Sequence, residues 1–104
     1  MNDYKYLVDL EDVSTGYNDL RIEEVKIKNI SIRTNESSLH LLLEGKDNQY
    51  TKDFKLVDLE FLCEFIEGIV GVFSLKGCFG KKVRLLINEN LPIAMGSTDS
   101  DCWV

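Results

Sequence analysis

The chain has 104 residues, of which 44% are hydrophobic and 29% are charged, and its 12 Lys and Arg residues against 18 Asp and Glu residues give a net charge of -6. This length is enough for one hydrophobic core, and one Trp, four Tyr and five Phe residues exclude a disordered chain. We therefore predict a single domain over residues 1–104. The acidic balance disfavours direct binding to nucleic acid or an anionic membrane, and it favours a protein partner with a basic surface.

The first half of the chain has the pattern of an antiparallel meander. Apolar residues alternate with polar ones in short segments separated by Gly, Asn and Ser, which is typical of strands that bury one face. The alternation changes phase near Lys28 and Asn29, which predicts a β-bulge. The four predicted strands cover residues 4–10, 23–33, 39–44 and 50–54.

After residue 58 the apolar residues recur at steps of three and four, which predicts one amphipathic helix of about 14 residues. Asp58 precedes this run and is a suitable N-cap. The predicted apolar stripe consists of Leu59, Leu62, Cys63, Ile66, Ile69, Val70 and Phe73. The glutamates on the remaining, solvent-facing side are Glu60, Glu64 and Glu67.

The last third predicts a glycine-containing loop followed by a hairpin of two strands at residues 82–87 and 91–95. Trp103 stands next to the C-terminal residue and is expected to dock, because an exposed Trp forfeits several kcal/mol of burial, on the order of 1.5–3. The predicted fold class is α+β, a twisted antiparallel sheet of about six strands with one amphipathic helix packed on it.

No pattern in the sequence predicts a catalytic residue, a cofactor or a metal. The loop Gly77–Lys82 lacks the Ser or Thr and the first glycine of a phosphate-binding P-loop, so we interpret it as a connecting loop. His40 has no acidic residue placed by the sequence to orient it. The three cysteines are widely spaced, with Cys63 expected in the core and Cys78 and Cys102 near the surface. No apolar segment is long enough for a membrane helix.

The carboxylates are the best candidates for a binding site. Acidic residues lie in a row on the predicted helix, and others follow near the C-terminus beside the single Trp. If these groups gather on one side, their field attracts a basic partner surface. The candidate partner-binding residues are Glu60, Glu64, Glu67, Asp99, Asp101 and Trp103.

The C-terminal third carries the patterns Gly80-Lys81-x-Val83-Arg84, Asn88-x-Asn90, Ile93-x-x-Gly96 and Asp101-x-Trp103. This ending resembles that of small phage and mobile-element proteins of Gram-positive hosts, and with the small size and acidic balance it makes the chain similar in kind to anti-CRISPR proteins. The resemblance implies a small protein that disables a host nuclease complex by occupying a surface. Because the sequence shows no catalytic pattern, we expect a non-enzymatic binding protein, and the odd number of widely spaced cysteines favours the reducing cytoplasm of a bacterial host cell. Such a protein inhibits a CRISPR–Cas effector or another nucleoprotein defence complex by surface occlusion or nucleic-acid mimicry.

An alternative function is a structural or assembly module that self-associates through an exposed strand edge. The expected oligomeric state is accordingly a monomer or a homodimer.

Overall fold

A computed structural model describes residues 4–104 and has an α+β fold built on one curled antiparallel sheet. Over these residues the sheet has five strands in the order β3–β2–β1–β4–β5, in which neighbouring strands are hydrogen-bonded. The strands are β1 (Leu20–Arg33), β2 (Ser38–Glu44), β3 (Gln49–Lys55), β4 (Lys82–Asn88) and β5 (Leu91–Gly96). The α+β class is therefore confirmed, with five strands in place of about six.

The long strand β1 joins two halves of the sheet. Its first half pairs with β4 and its second half with β2, and Lys26 is opposite both Lys82 of β4 and Glu44 of β2. The register shifts between Ile27 and Asn29, which confirms the predicted bulge. Because one inserted residue reverses which side chains face inward, the bulge lets both halves of β1 direct apolar residues into the same core.

The predicted strand at residues 4–10 is wrong. Only Val8 pairs as a strand residue in this segment, in an isolated bridge with Trp103, and Leu10 begins a short helix, α1 (Leu10–Ser14). The alternating apolar residues of this segment pack in different places, because Leu7 enters the main core while Leu10 packs in a second cluster. An alternating pattern reports burial at every second residue, and it does not identify the surface that buries each one.

The main helix follows Asp58, as predicted. Helix α2 (Leu59–Glu64) continues directly as a π-helical segment (Phe65–Val70). Together these two segments form the helical region. The Asp58 carboxylate accepts a hydrogen bond from the Phe61 N–H at 2.9 Å and caps the first turn. The helical region ends at Gly71, whose φ of 82° suits a residue without a Cβ.

Two hydrophobic clusters lie on opposite faces of the sheet. Adjacent residues of a strand point to opposite faces, so Leu85 belongs to the main core beneath α2 whereas Leu86 belongs to the second cluster. The second cluster is small and is centred on Trp103, Leu86 and Ala94, with Leu10 of α1 packed against it. Within residues 4–104, no helix is long and apolar enough to cross a membrane.

Candidate functional site: an acidic end built around Trp103

Trp103 anchors the end of the chain to the sheet and is fully buried, which confirms that it docks. Its backbone pairs with Val8, with N–H···O distances of 2.7 and 2.8 Å, and its indole lies over Gly96 of β5. A Cβ at position 96 would lie 2.5 Å from two indole atoms, so only glycine leaves space for the ring. The Arg84 guanidinium carbon lies 4.9 Å from the ring centroid, in cation–π geometry.

Asp101 connects this anchor to α1. Its Oδ1 accepts hydrogen bonds from the Trp103 Nε1–H at 3.1 Å and from the Leu10 N–H at 3.2 Å. Leu10 is the first residue of α1, which has Glu11 and Asp12 in its first turn. This hydrogen bond therefore brings the acidic residues around α1 next to those of the loop at residues 97–101, which follows β5.

We call the resulting surface the acidic end. Its carboxylates are all exposed, and they belong to Asp9, Glu11, Asp12, Asp99 and Asp101. Ion pairs within residues 4–104 lie elsewhere, and they join Lys5 to Glu60, Lys28 to Glu44, Arg33 to Glu36, Lys82 to Glu24 and His40 to Asp53.

Arg84 is the cation that contacts the loop of the acidic end. Its Nε–H donates to the Ser97 carbonyl at 2.6 Å and its NH2 group donates to the Ser100 carbonyl at 2.9 Å. The guanidinium therefore holds the backbone of the loop in place, and it forms no ion pair with a carboxylate of the described residues. Arg84 beside five carboxylates leaves the acidic end with a strong negative charge.

The helix glutamates are separated from this surface, so the structure divides the six predicted site residues into two groups. Glu60 and Glu67 are exposed, and Glu60 lies 3.8 Å from Lys5 in an ion pair. Both belong to the helix that covers the main core, whereas Trp103 lies in the cluster on the other face. Asp99 and Asp101 are the two predicted residues that belong to the acidic end.

The predicted solvent-facing position of Glu64 is wrong, and both Glu64 and Trp103, two of the predicted partner-binding residues, are buried. Glu64 is only 6% exposed, and its carboxylate accepts hydrogen bonds from the backbone N–H groups of Lys5 at 2.8 Å and Tyr6 at 2.7 Å. Trp103 is completely covered by the rest of the chain. The side chains of these two residues therefore support the structure behind the surface.

The buried side of the helix is rotated relative to the predicted stripe. Leu59 is 73% exposed, whereas Phe61 and Phe65 are buried and pack against Phe54 of β3. Phe73, the last residue of the predicted stripe, lies beyond the end of the helical region. Residues 4–7 cover the side of the helix that carries Glu64, so this side is buried.

The predicted positions of all three cysteines are wrong, and the rotation of the helix accounts for Cys63 alone, because Cys78 and Cys102 lie outside the helical region. Cys63 is exposed, whereas Cys78 and Cys102 are buried. Burial raises the pKa of the Cys78 thiol, because a thiolate is poorly solvated there.

His40 has an acidic partner that local sequence reasoning missed. The register of β2 and β3 places Asp53 directly opposite His40, and the Nδ1 of His40 is hydrogen-bonded to the Asp53 carboxylate. A cross-strand partner of this kind is visible in the sequence only once the strand register is known. The pair is on the surface, and within residues 4–104 no group of three His, Cys, Asp or Glu side chains could hold a metal ion.

Comparisons of the chain with models of protein families, with curated proteins and with solved structures found no match.

Proposed function

We propose that the protein is a non-enzymatic inhibitor whose acidic end occupies a basic surface of a host nucleoprotein complex, with CRISPR–Cas effectors as the first class to test. The observation that carries this proposal is the convergence of five exposed carboxylates without a Lys or Arg ion pair among residues 4–104. A basic protein surface that normally holds nucleic acid is complementary to such charge. Occupying it excludes the nucleic acid.

The construction of the acidic end supports binding as a preformed surface. Its loop is held by Arg84, by Asp101 and by the bridge between Trp103 and Val8. A surface that is already ordered loses little conformational entropy when it docks. Because exposed charges are screened beyond about 8 Å at physiological ionic strength, this association weakens as salt is added.

The test is inhibition of purified CRISPR effectors, with and without guide RNA. The acidic-end variant is Glu11→Gln/Asp12→Asn/Asp99→Asn. The control variant is Asp47→Asn/Glu67→Gln/Glu89→Gln, which removes three exposed carboxylates elsewhere and has the same net charge. Three exposed charge contacts at about 0.5 kcal/mol each predict that the acidic-end variant binds about tenfold more weakly.

Wild-type protein and control variant are expected to inhibit an effector equally, with stronger binding before guide RNA occupies the basic surface. The proposal is rejected if no effector is bound or inhibited. It is also rejected if the two variants bind equally weakly. The loss of affinity would then follow from the net charge, and the position of the carboxylates would not matter.

A second candidate function, self-association, is favoured by the position of β3. This strand pairs with β2 on one side and has no strand partner within residues 4–104 on the other, so its outer backbone groups can pair with a second copy. Sedimentation velocity over a range of concentrations tests this function. A concentration-dependent dimer supports it, and a monomer at every concentration contradicts it.

A further inference from the structure

A second surface of opposite charge begins in the loop between the helical region and β4. The segment 68–83 contains Lys76, Lys81 and Lys82 and has no Asp or Glu. In a chain with net charge -6, this is a pronounced local excess of positive charge. We call residues 71–82 the basic loop.

The basic loop also exposes two aromatic rings. Phe73 is 91% exposed and Phe79 is 45% exposed. The loop folds back on itself, because the Cys78 N–H donates to the Leu75 carbonyl at 3.1 Å and the Phe79 N–H donates to the Lys76 carbonyl at 3.4 Å. These bonds hold Phe79 between Lys76 and Lys81 in the chain, and Phe73 lies just before the folded turn.

Hydrogen bonds to β1 fix the end of the basic loop beside a cleft. The Gly80 N–H donates to the Ile27 carbonyl at 2.7 Å, and the Ile27 N–H donates to the Lys81 carbonyl at 2.8 Å. The adjacent cleft has a volume of about 320 Å³ and is lined in part by Lys26, Lys46 and Lys82.

The charge of the cleft is only partly compensated within residues 4–104. Glu24 and Glu44 also line it, but Glu24 pairs with Lys82 at 3.6 Å, and Glu44 pairs at the same distance with Lys28. Lys26 and Lys46 have no carboxylate partner among these residues. In the sheet, Lys26 lies directly opposite Lys82 on one side and Glu44 on the other, so Glu44 offsets part of the positive charge there.

We propose that the basic loop and the cleft bind single-stranded nucleic acid, with phosphates at Lys26, Lys46 and Lys82 and bases stacked on Phe73 and Phe79. Proteins bind single strands by combining exposed aromatic rings with a basic groove. In this cleft three lysines outnumber two glutamates. A duplex offers no free base faces for stacking, so a single strand is the preferred ligand. The negative net charge of the chain repels nucleic acid at long range, whereas the contact itself depends on the charges that line this surface.

The test is fluorescence anisotropy of a labelled oligothymidylate at low salt, with unlabelled duplex DNA and phosphatidylserine vesicles as competitors. Phe73→Ala/Phe79→Ala is expected to weaken binding by about tenfold or more, since stacking on each base contributes substantially. Its control, Leu59→Ala/Leu91→Ala, removes two other exposed apolar side chains and is expected to bind as wild type.

The lysines are tested by the salt dependence of the same binding. Lys26→Gln/Lys46→Gln is expected to lower the slope of log affinity against log salt by about 1.4, because each phosphate that a lysine neutralises contributes about 0.7 to the slope. Arg33→Gln/Lys55→Gln has the same net charge and is expected to keep the wild-type slope. The proposal is overturned if the oligothymidylate is not bound, if duplex or vesicles compete better than unlabelled single strand, or if the matched variants lose affinity equally. None of these results depends on an effector, so they leave the inhibitor proposal to its own test.

Discussion

Replacing Glu64 tests the most specific structural contact in the protein. Its buried carboxylate accepts the N–H groups of Lys5 and Tyr6, which are 59 and 58 residues away in sequence. Glu64→Ala leaves both donors without this partner, at a cost of about 1–3 kcal/mol for each donor that stays dry. Since water can reach part of this site, we expect a total loss of about 2–4 kcal/mol in the free energy of unfolding, a large share of the stability of a small domain.

The measurement is urea unfolding followed by the fluorescence of Trp103, with the free energy obtained by linear extrapolation. Glu67→Ala is the matched control, because Glu67 is exposed in the same helical region, and we expect a change within about 0.5 kcal/mol. Amide hydrogen exchange at Lys5 and Tyr6 is expected to accelerate in Glu64→Ala. A Glu64→Ala variant as stable as the Glu67→Ala control would refute this reasoning.

Three further predictions concern other parts of the fold. Gly96→Ala is expected to lower stability by about 2 kcal/mol or more and to change Trp103 fluorescence, because the new Cβ would overlap the indole; unchanged emission and stability would contradict the packing of the ring. Native protein is expected to react with a thiol reagent at Cys63 alone, whereas unfolded protein reacts at every cysteine; mass spectrometry of the labelled peptides checks the site, and equal labelling of Cys78 in the native protein would contradict its burial. Hydrogen bonds from the Tyr6 hydroxyl and then from the Phe61 N–H hold the pKa of Asp58 below its ordinary value of 3.8. The stability that the ionised carboxylate contributes is therefore present above pH 3.8 and is lost as the pH falls through the lower pKa of the folded protein. In an acid titration, Asp58→Asn is expected to lose stability less steeply than wild type. An equally steep loss of stability would contradict this.

The sequence predicts the elements whose formation depends on neighbouring residues. Period-two alternation locates β2 and β3, the change of phase locates the bulge after Ile27, and Asp58 marks the start of α2. In each case the side chains that define the element lie within a few residues of one another. Local patterns therefore carry enough information for these elements.

Features that depend on contacts between distant segments are not visible in local patterns. The apolar alternation of residues 4–10 is genuine and predicts a strand, but Glu64, from the other half of the chain, binds the start of this segment at Lys5 and Tyr6. Its presence rotates the buried side of the helix and leaves Cys63 exposed. The sequence offers a carboxylate at position 64 without any indication that two backbone amides are its partners.

The candidate site is predicted in part for the same reason. The sequence identifies Asp99 and Asp101 beside Trp103, but the convergence of these residues with α1 depends on the hydrogen bond between Asp101 and Leu10, which are 91 residues apart. The glycines of the basic loop do not form a phosphate-binding motif, so its sequence alone indicates a simple connection. Its proximity to Lys26 and Lys46 depends on the pairing of β1 with β4 and on the cleft beside them.

The most direct test of the central claim is the association rate between the protein and a guide-free effector, measured at increasing ionic strength by stopped flow. We predict a rate that falls steeply with salt for wild type and for Asp47→Asn/Glu67→Gln/Glu89→Gln, and a slower, nearly salt-independent rate for Glu11→Gln/Asp12→Asn/Asp99→Asn. The same salt dependence in all three proteins would contradict the claim that the acidic end directs binding.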